Sequence, residues 1–160
     1  MTYRDAARTM AEDCLCFRVR RVSRALTRLY DEALRPLEIQ ATQLTVLNAI
    51  ALLEERNAPM GELADVLAMD VTTLSRNLRP LRKAGLVRSE RSEADRRVRL
   101  VKVTEEGRRT LERALPLWQE AHERVVEVLG PELAGELRTG FDAAVAAADA
   151  GGRQAEEGAP

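Results

Sequence analysis

Residues 60–103 constrain the fold more than any other part of the chain. Two short amphipathic helical stretches, residues 60–67 and 71–83, are separated by only a few residues, and Asp70 stands where an N-cap belongs. Val71, Leu74, Leu78 and Leu81 give the second stretch an inward face. Pro80 removes one backbone hydrogen bond and crowds the turn near Arg76, so a bend or tightening is expected there. Gly85 supplies a helix stop. Residues 86–92 and 97–103 then alternate as two strands joined by Glu93-Ala94-Asp95-Arg96, a β-hairpin. Val98, Leu100 and Lys102 are expected on one face of the second strand, and Arg97, Arg99, Val101 and Val103 on the other. Two strands alone are not stable in water, so the hairpin must pack on helices.

The flanking sequence is helical. Residues 5–35 read as one long helix, with Leu15, Val19, Val22, Leu26, Leu29 and Ala33 at steps of four and three, and Pro36 ends it. A helix over 42–55 follows, with Leu44, Leu47, Ile50, Leu52 and Leu53 inward. Thr104 caps a helix to about residue 128, with Leu111, Leu115, Trp118, His122, Val125 and Leu129 in near-heptad spacing and Pro116 as the place for a kink. Gly130-Pro131 separates it from a last helix bearing Leu133, Leu137, Phe141, Val145 and Ala148. The polar stretch GGRQAEEGAP is expected to be disordered. The expected organisation is an N-terminal helix at 5–35, a helix–turn–helix and hairpin module at 36–103, C-terminal helices at 104–150 and a disordered tail at 151–160. The three long helices carry more apolar face than the small module can cover, which predicts a homodimer.

Composition narrows the function classes. The net charge of -1 is a sum of unlike segments: residues 70–103 carry ten Lys/Arg against four Asp/Glu, whereas residues 104–160 carry six against twelve. A local positive field is what attracts a polyanion. No apolar run suits a membrane span or a signal peptide, so no membrane partner and a cytoplasmic location are expected. Cys14 and Cys16 are too few for a disulfide framework, and His122 is the sole histidine, so no metal site is expected. There is no phosphate loop, cofactor motif or nucleophile–base pair, and the chain is read as a non-enzyme without cofactors.

Helix–turn–helix followed by a basic hairpin is the order of a winged helix: a mainly α fold with a small β-hairpin wing, plus a helical dimerisation region. Such a module sets its second helix in the major groove of double-stranded DNA and its hairpin against a neighbouring groove or the backbone. On that helix Arg76 and Arg79 are the candidates for base edges or phosphates, Thr72, Thr73 and Ser75 for short hydrogen bonds, and Asn77 for a further contact. In the wing the candidates are Arg91, Arg96 and Arg97, with Asp95 shaping the turn or pinning an arginine. Solvated surface charge is the plain alternative for the arginines, and a capping or solvent role is the alternative for Thr73, Ser75 and Asn77.

The stretch GLVRSERSEADRRVRLVKVTEEG at 85–107, preceded by ELADVLAMDVTTLSRNLRPLRKAGLV at 62–87, resembles the multiple antibiotic resistance regulator (MarR) family of winged-helix transcription factors. Val103-Thr104 stands where that family usually has Leu-Thr. The resemblance implies an obligate dimer built by the first and last two helices, a pseudo-palindromic operator and, usually, repression relieved by a small aromatic or anionic effector. It makes Asp95 and Arg97 the wing's acidic–basic pair, with Arg96 between them toward DNA. Arg18, Arg21 and Arg28 are candidates to meet the effector. Cys16-Phe17 and Tyr30 resemble the start of the organic-hydroperoxide resistance regulators in the family, which makes Cys16 a candidate redox residue. Residues 40–44, QATQL, lack that subgroup's second tyrosine, and buried packing is the rival role for Cys16. On a continuous helix Cys14 and Cys16 point to different sides and do not bridge. A thiol-responsive regulator and a protein-interaction module without DNA binding are the alternative readings.

Overall fold

The computed structural model describes residues 2–54 and 58–157. Its elements are α1 (Tyr3–Asp13), α2 (Leu15–Leu34), a 3-10 turn (Arg35–Leu37), α3 (Ala41–Leu52), α4 (Met60–Val66), α5 (Val71–Lys83), β1 (Val87–Arg91), β2 (Arg99–Val103), α6 (Glu105–Leu129) and α7 (Pro131–Glu157). The mainly helical fold with one antiparallel hairpin is the one expected from the sequence.

The core lies where α3, α4, α5 and the hairpin meet. Leu47, Ile50, Leu63, Leu74, Leu78, Leu81 and Val101 are fully buried there, and Leu34 joins from α2. Leu74, Leu78 and Leu81 form one stripe of α5, as helical spacing requires. Val71 does not join them; at the first helical position it points out of the stripe and is half exposed. In α3, Leu47 and Ile50 are buried with Val46 and Ala49, but Leu52 is exposed because the helix ends there. The helix was expected to reach residue 55 but stops at Leu52, with Leu53 as its C-cap; residue 55 itself lies outside the described residues.

The base of the hairpin is locked to the start of α6. Gly85 takes φ +72°, the left-handed conformation that ends α5. The Thr104 hydroxyl donates to the Gly85 carbonyl at 2.6 Å and accepts from the Gly107 amide at 3.1 Å, while the Thr104 amide donates to the Leu86 carbonyl at 3.0 Å. A Cβ on Gly107 would lie 2.2 Å from the Leu86 oxygen and 2.6 Å from Val103 Cγ1, so this close approach needs glycine.

Strand β2 departs from simple alternation. Leu100 and Val101 are both buried, because residues 58–59 pair with the edge of β2: Pro59 bridges Leu100 and the Val101 amide donates to the Ala58 carbonyl at 3.1 Å. The hairpin thus gains a short third edge, and the strands cover 87–91 and 99–103 in a register pairing Val87 with Val103 and Arg91 with Arg99. The connection between them is correspondingly longer than four residues.

Two helical expectations change, at the N-terminal helix and at the tail. The single helix over 5–35 is two helices broken at Cys14, whose ψ of 108° is extended. The break is satisfied locally: Cys14 Sγ accepts from the Phe17 amide at 3.4 Å, and the Arg18 guanidinium donates to the Glu12 carbonyl at 2.6 Å. Helices α5 and α6 run on through Pro80 and Pro116, as expected. The last helix runs to Glu157, so residues 151–157, expected to be disordered, are helical; adding turns to an established helix avoids the cost of nucleation, and 153–157 are mostly strong helix formers. Residues 158–160 of the expected tail lie outside the described residues.

Candidate nucleic-acid interface

The exposed face of α5 is the product of its cap and its core stripe. The Asp70 carboxylate accepts from the Thr73 amide at 2.8 Å and from the Thr73 hydroxyl at 2.6 Å. These bonds from Thr73 hold the Asp70 carboxyl below its ordinary range. With 74, 78 and 81 turned inward, Thr72, Ser75, Arg76 and Arg79 fall on one solvent-facing row at helical spacing. Neither Arg76 nor Arg79 has an ion-pair partner among the described residues. Two predicted contact residues are placed otherwise: the Thr73 hydroxyl is taken by Asp70, and half-buried Asn77 directs its amide to Met69 Sδ at 3.4 Å.

The wing divides its charge by position. At the base, Glu90 pairs with Lys102 and lies 3.6 Å from Arg88; its carboxyl is lowered first by the hydrogen bond from Lys102. Toward the tip, Asp95 accepts from the Arg97 amide at 2.9 Å and from Arg97 Nε at 3.2 Å. The Ser92 hydroxyl accepts from the amides of Ala94 and Asp95, and the Ser92 amide donates to the Val98 carbonyl, which closes the turn. Arg91, Arg96 and Arg99 are exposed and lack ion pairs among the described residues, while Arg97 keeps its guanidinium in solvent despite Asp95. The positive charge of the wing is therefore free at its tip and neutralised at its base.

Arg18, Arg21 and Arg28 line an open groove along α2 with Arg24, Val22 and Ala25. They do not enter a cavity of about 680 Å³ that opens between α2, α3 and α6 and is lined by Tyr30, Leu44, Leu111 and Trp118 among others. Sequence patterning placed Trp118 on an apolar helix face but gave no sign that it faces a void. His122 stacks on Trp118, with ring centroids 4.8 Å apart and an interplanar angle of 9°, and its Nδ1 lies 3.3 Å from the Tyr30 hydroxyl. Burial raises the Tyr30 phenol above its ordinary value. Cys14 and Cys16 are both exposed in the single chain. Among the described residues no cluster of three or more His, Cys, Asp or Glu is arranged to hold a metal, and no helix is long and apolar enough to cross a membrane.

A capped helix with a polar outer row, preceded by a short helix and followed by a basic hairpin, defines a winged helix-turn-helix transcription regulator. The MarR family model matches residues 37–98, and the organic hydroperoxide resistance transcriptional regulator of Bacillus subtilis is 31% identical over 106 residues, covering 66% of this chain and 71% of that protein. The chain belongs to the MarR family. Among solved structures, the Mycobacterium tuberculosis regulator MosR in complex with DNA is 36% identical, with a TM-score of 0.75 over 86% of this chain and 98% of that one. A cysteine-to-serine mutant of Escherichia coli MarR complexed with operator DNA is 29% identical, with a TM-score of 0.74 over 84% and 96% of the two chains.

Proposed function

We propose that this regulator is a homodimeric, sequence-specific binder of double-stranded DNA that represses transcription and is released by a small-molecule effector. One observation carries the reading: Thr72, Ser75, Arg76 and Arg79 form a single exposed row on a capped helix, with both guanidinium groups unpaired among the described residues. Arginine in the major groove donates two hydrogen bonds to guanine, and Thr72 and Ser75 add short contacts. Arg91, Arg96 and Arg97 approach the neighbouring groove or backbone, with Asp95 holding the turn. Thr73 and Asn77 act chiefly inside the protein, as partners of Asp70 and Met69. The DNA complexes of MosR and MarR support this assignment by analogy.

Dimerisation is supported by exposed apolar residues on the helices outside the module: Leu15, Val19 and Val22 on α2, and Leu133, Phe141 and Val145 on α7. A two-fold pair would set its recognition helices roughly 34–36 Å apart, one turn of DNA, and demand a pseudo-palindromic operator. Selection of genomic fragments with the purified protein, followed by a footprint, yields the operator. Fluorescence anisotropy should then show R76A and R79A each weakening binding by about tenfold or more, with the fold intact. Unchanged affinity and salt dependence in both variants refutes the assignment; light scattering that returns a mass of 17.8 kDa at micromolar protein refutes the dimer.

A second reading, release by thiol oxidation, is favoured by the exposure of Cys16 and by the name of the Bacillus subtilis relative. Organic hydroperoxide then lowers operator affinity in the natural protein and spares C16S. Equal responses in the two proteins exclude it.

A further inference from the structure

Two pairs of like charge face each other across the hairpin, and only one of them is neutralised. The register sets Arg88 opposite Lys102 and Arg91 opposite Arg99. Directly opposed side chains of an antiparallel pair start from Cβ atoms roughly 4.5–5.5 Å apart, and like charges there repel. At the first pair Glu90 stands on the same face, bonded to Lys102 and 3.6 Å from Arg88. The second pair has no such acid among the described residues: Asp95 is committed to Arg97, and neither Arg91 nor Arg99 forms an ion pair with Glu93.

The place of the second pair fixes what it can meet. Side chains alternate along a strand, so Arg91 and Arg99 continue the row of Val87, Ser89, Val101 and Val103, whose valines and serine hydroxyl are buried against the core. The row emerges into solvent at this last pair, where both residues are exposed. It emerges on the side of the hairpin against which α5 packs, since Leu78, Leu81, Val87 and Val101 share one core. A winged helix sets α5 in the major groove and the hairpin at the neighbouring groove, so the sugar-phosphate strand that divides the two grooves passes between them.

The geometry points to Arg91 and Arg99 as a clamp on one phosphate of that strand, a like-charge pair left unneutralised in the free protein and neutralised by DNA. Arg99 is thereby a DNA-contact residue, with a role unlike that of the recognition-helix arginines: a phosphate contact positions the duplex and carries no base information. Guanidinium groups suit it, because each donates two parallel hydrogen bonds to a phosphate. This deepens the DNA-binding reading above and rests on it.

The test uses Arg99→Gln, Arg99→Lys and Arg99→Glu in the full chain, with the selected operator and an unrelated duplex of equal length as probes. Fluorescence anisotropy over a range of salt should show Arg99→Gln weakening both duplexes by a similar several-fold factor, with the slope of log affinity against log salt shallower by about one for each bound protomer. Arg99→Lys should recover most of the lost slope. Arg99→Glu should bind DNA least and yet, without DNA, unfold at a higher urea concentration than the natural protein, because it turns opposed like charges into an opposite pair. A purely structural Arg99 would lower both quantities. Unchanged affinity and slope in Arg99→Gln, a loss confined to the operator, or a lower urea midpoint in Arg99→Glu overturns the clamp alone, provided the natural protein binds the operator. A natural protein that binds neither duplex at low salt overturns the regulator reading and the clamp together.

Discussion

Replacing Gly107 by alanine tests the joint between the wing and α6. Gly107 sits in the first turn of α6, where Ala is intrinsically better than Gly by about 1 kcal/mol. The added methyl, however, would stand 2.2 Å from the Leu86 carbonyl oxygen and 2.6 Å from Val103 Cγ1. Neither neighbour yields cheaply: Leu86 O is backbone that also accepts the Thr104 amide, and Val103 is a stiff, buried β-branched side chain. Overpacking of this kind costs about 3 kcal/mol at the upper end of its usual range, which leaves a net loss of about 2 kcal/mol after the helix gain. For a chain of this length that lowers the midpoint of thermal unfolding by roughly 4–8 °C. Gly140→Ala in α7 is the control, because nothing lies within 4 Å of its Cβ position; it should raise stability by about 0.5–1 kcal/mol. Both are measured by thermal and urea unfolding at equal protein concentration, since association shifts apparent stability. If G107A is as stable as the natural protein, the tight junction described here is wrong.

Other consequences can be measured on the same footing. The Asp70 carboxyl is lowered by its bonds from Thr73, so its contribution is present above the unfolded value near 3.8 and fades as pH falls through the lower folded value; the stability advantage over Asp70→Asn should shrink with acidification, and a gap that widens would contradict the cap. Ser89 Oγ is buried without a hydrogen-bond partner among the described residues, so Ser89→Ala should be neutral or stabilising by up to about 1 kcal/mol in urea unfolding, whereas a clear loss would show that the hydroxyl is satisfied. Asp95→Ala should speed hydrogen exchange at the Arg97 amide, which loses its 2.9 Å acceptor, while leaving the exchange of Val101 in the core unchanged. Equal protection of Arg97 in both proteins would remove Asp95 from the wing turn.

Much of the reading head was legible because it is built from local rules. Asp70 before a helix, leucines at 74, 78 and 81, the Gly85 stop and the Thr104 cap each act over a few residues, and each stands where the sequence put it. What escaped was set by longer contacts. The break at Cys14 is the exception, a local one: Arg18 reaches back to the Glu12 carbonyl, and a continuous apolar stripe conceals it. Alternation along β2 did not show that both of its faces are covered: Leu100 and Val101 are both buried, and residues 58–59, forty positions away, pair with that strand.

The sequence by itself determined the order of elements, the face of α5 that is apolar and the block of positive charge at 70–103, because periodicity, capping and net charge depend only on which residues stand near one another along the chain. Local capping and tertiary packing together decided which of those groups have partners inside the protein. Thr73 and Asn77 look like Ser75 in one dimension, but the Thr73 hydroxyl donates to Asp70 and the Asn77 amide to Met69 Sδ. Arg18, Arg21 and Arg28 look like a ligand site, but the cavity opens beside Tyr30, Glu112 and Trp118. Packing brings α2 and α6 together across some ninety residues of chain, as the Tyr30–His122 contact shows, and no local pattern encodes a void between helices so far apart in sequence.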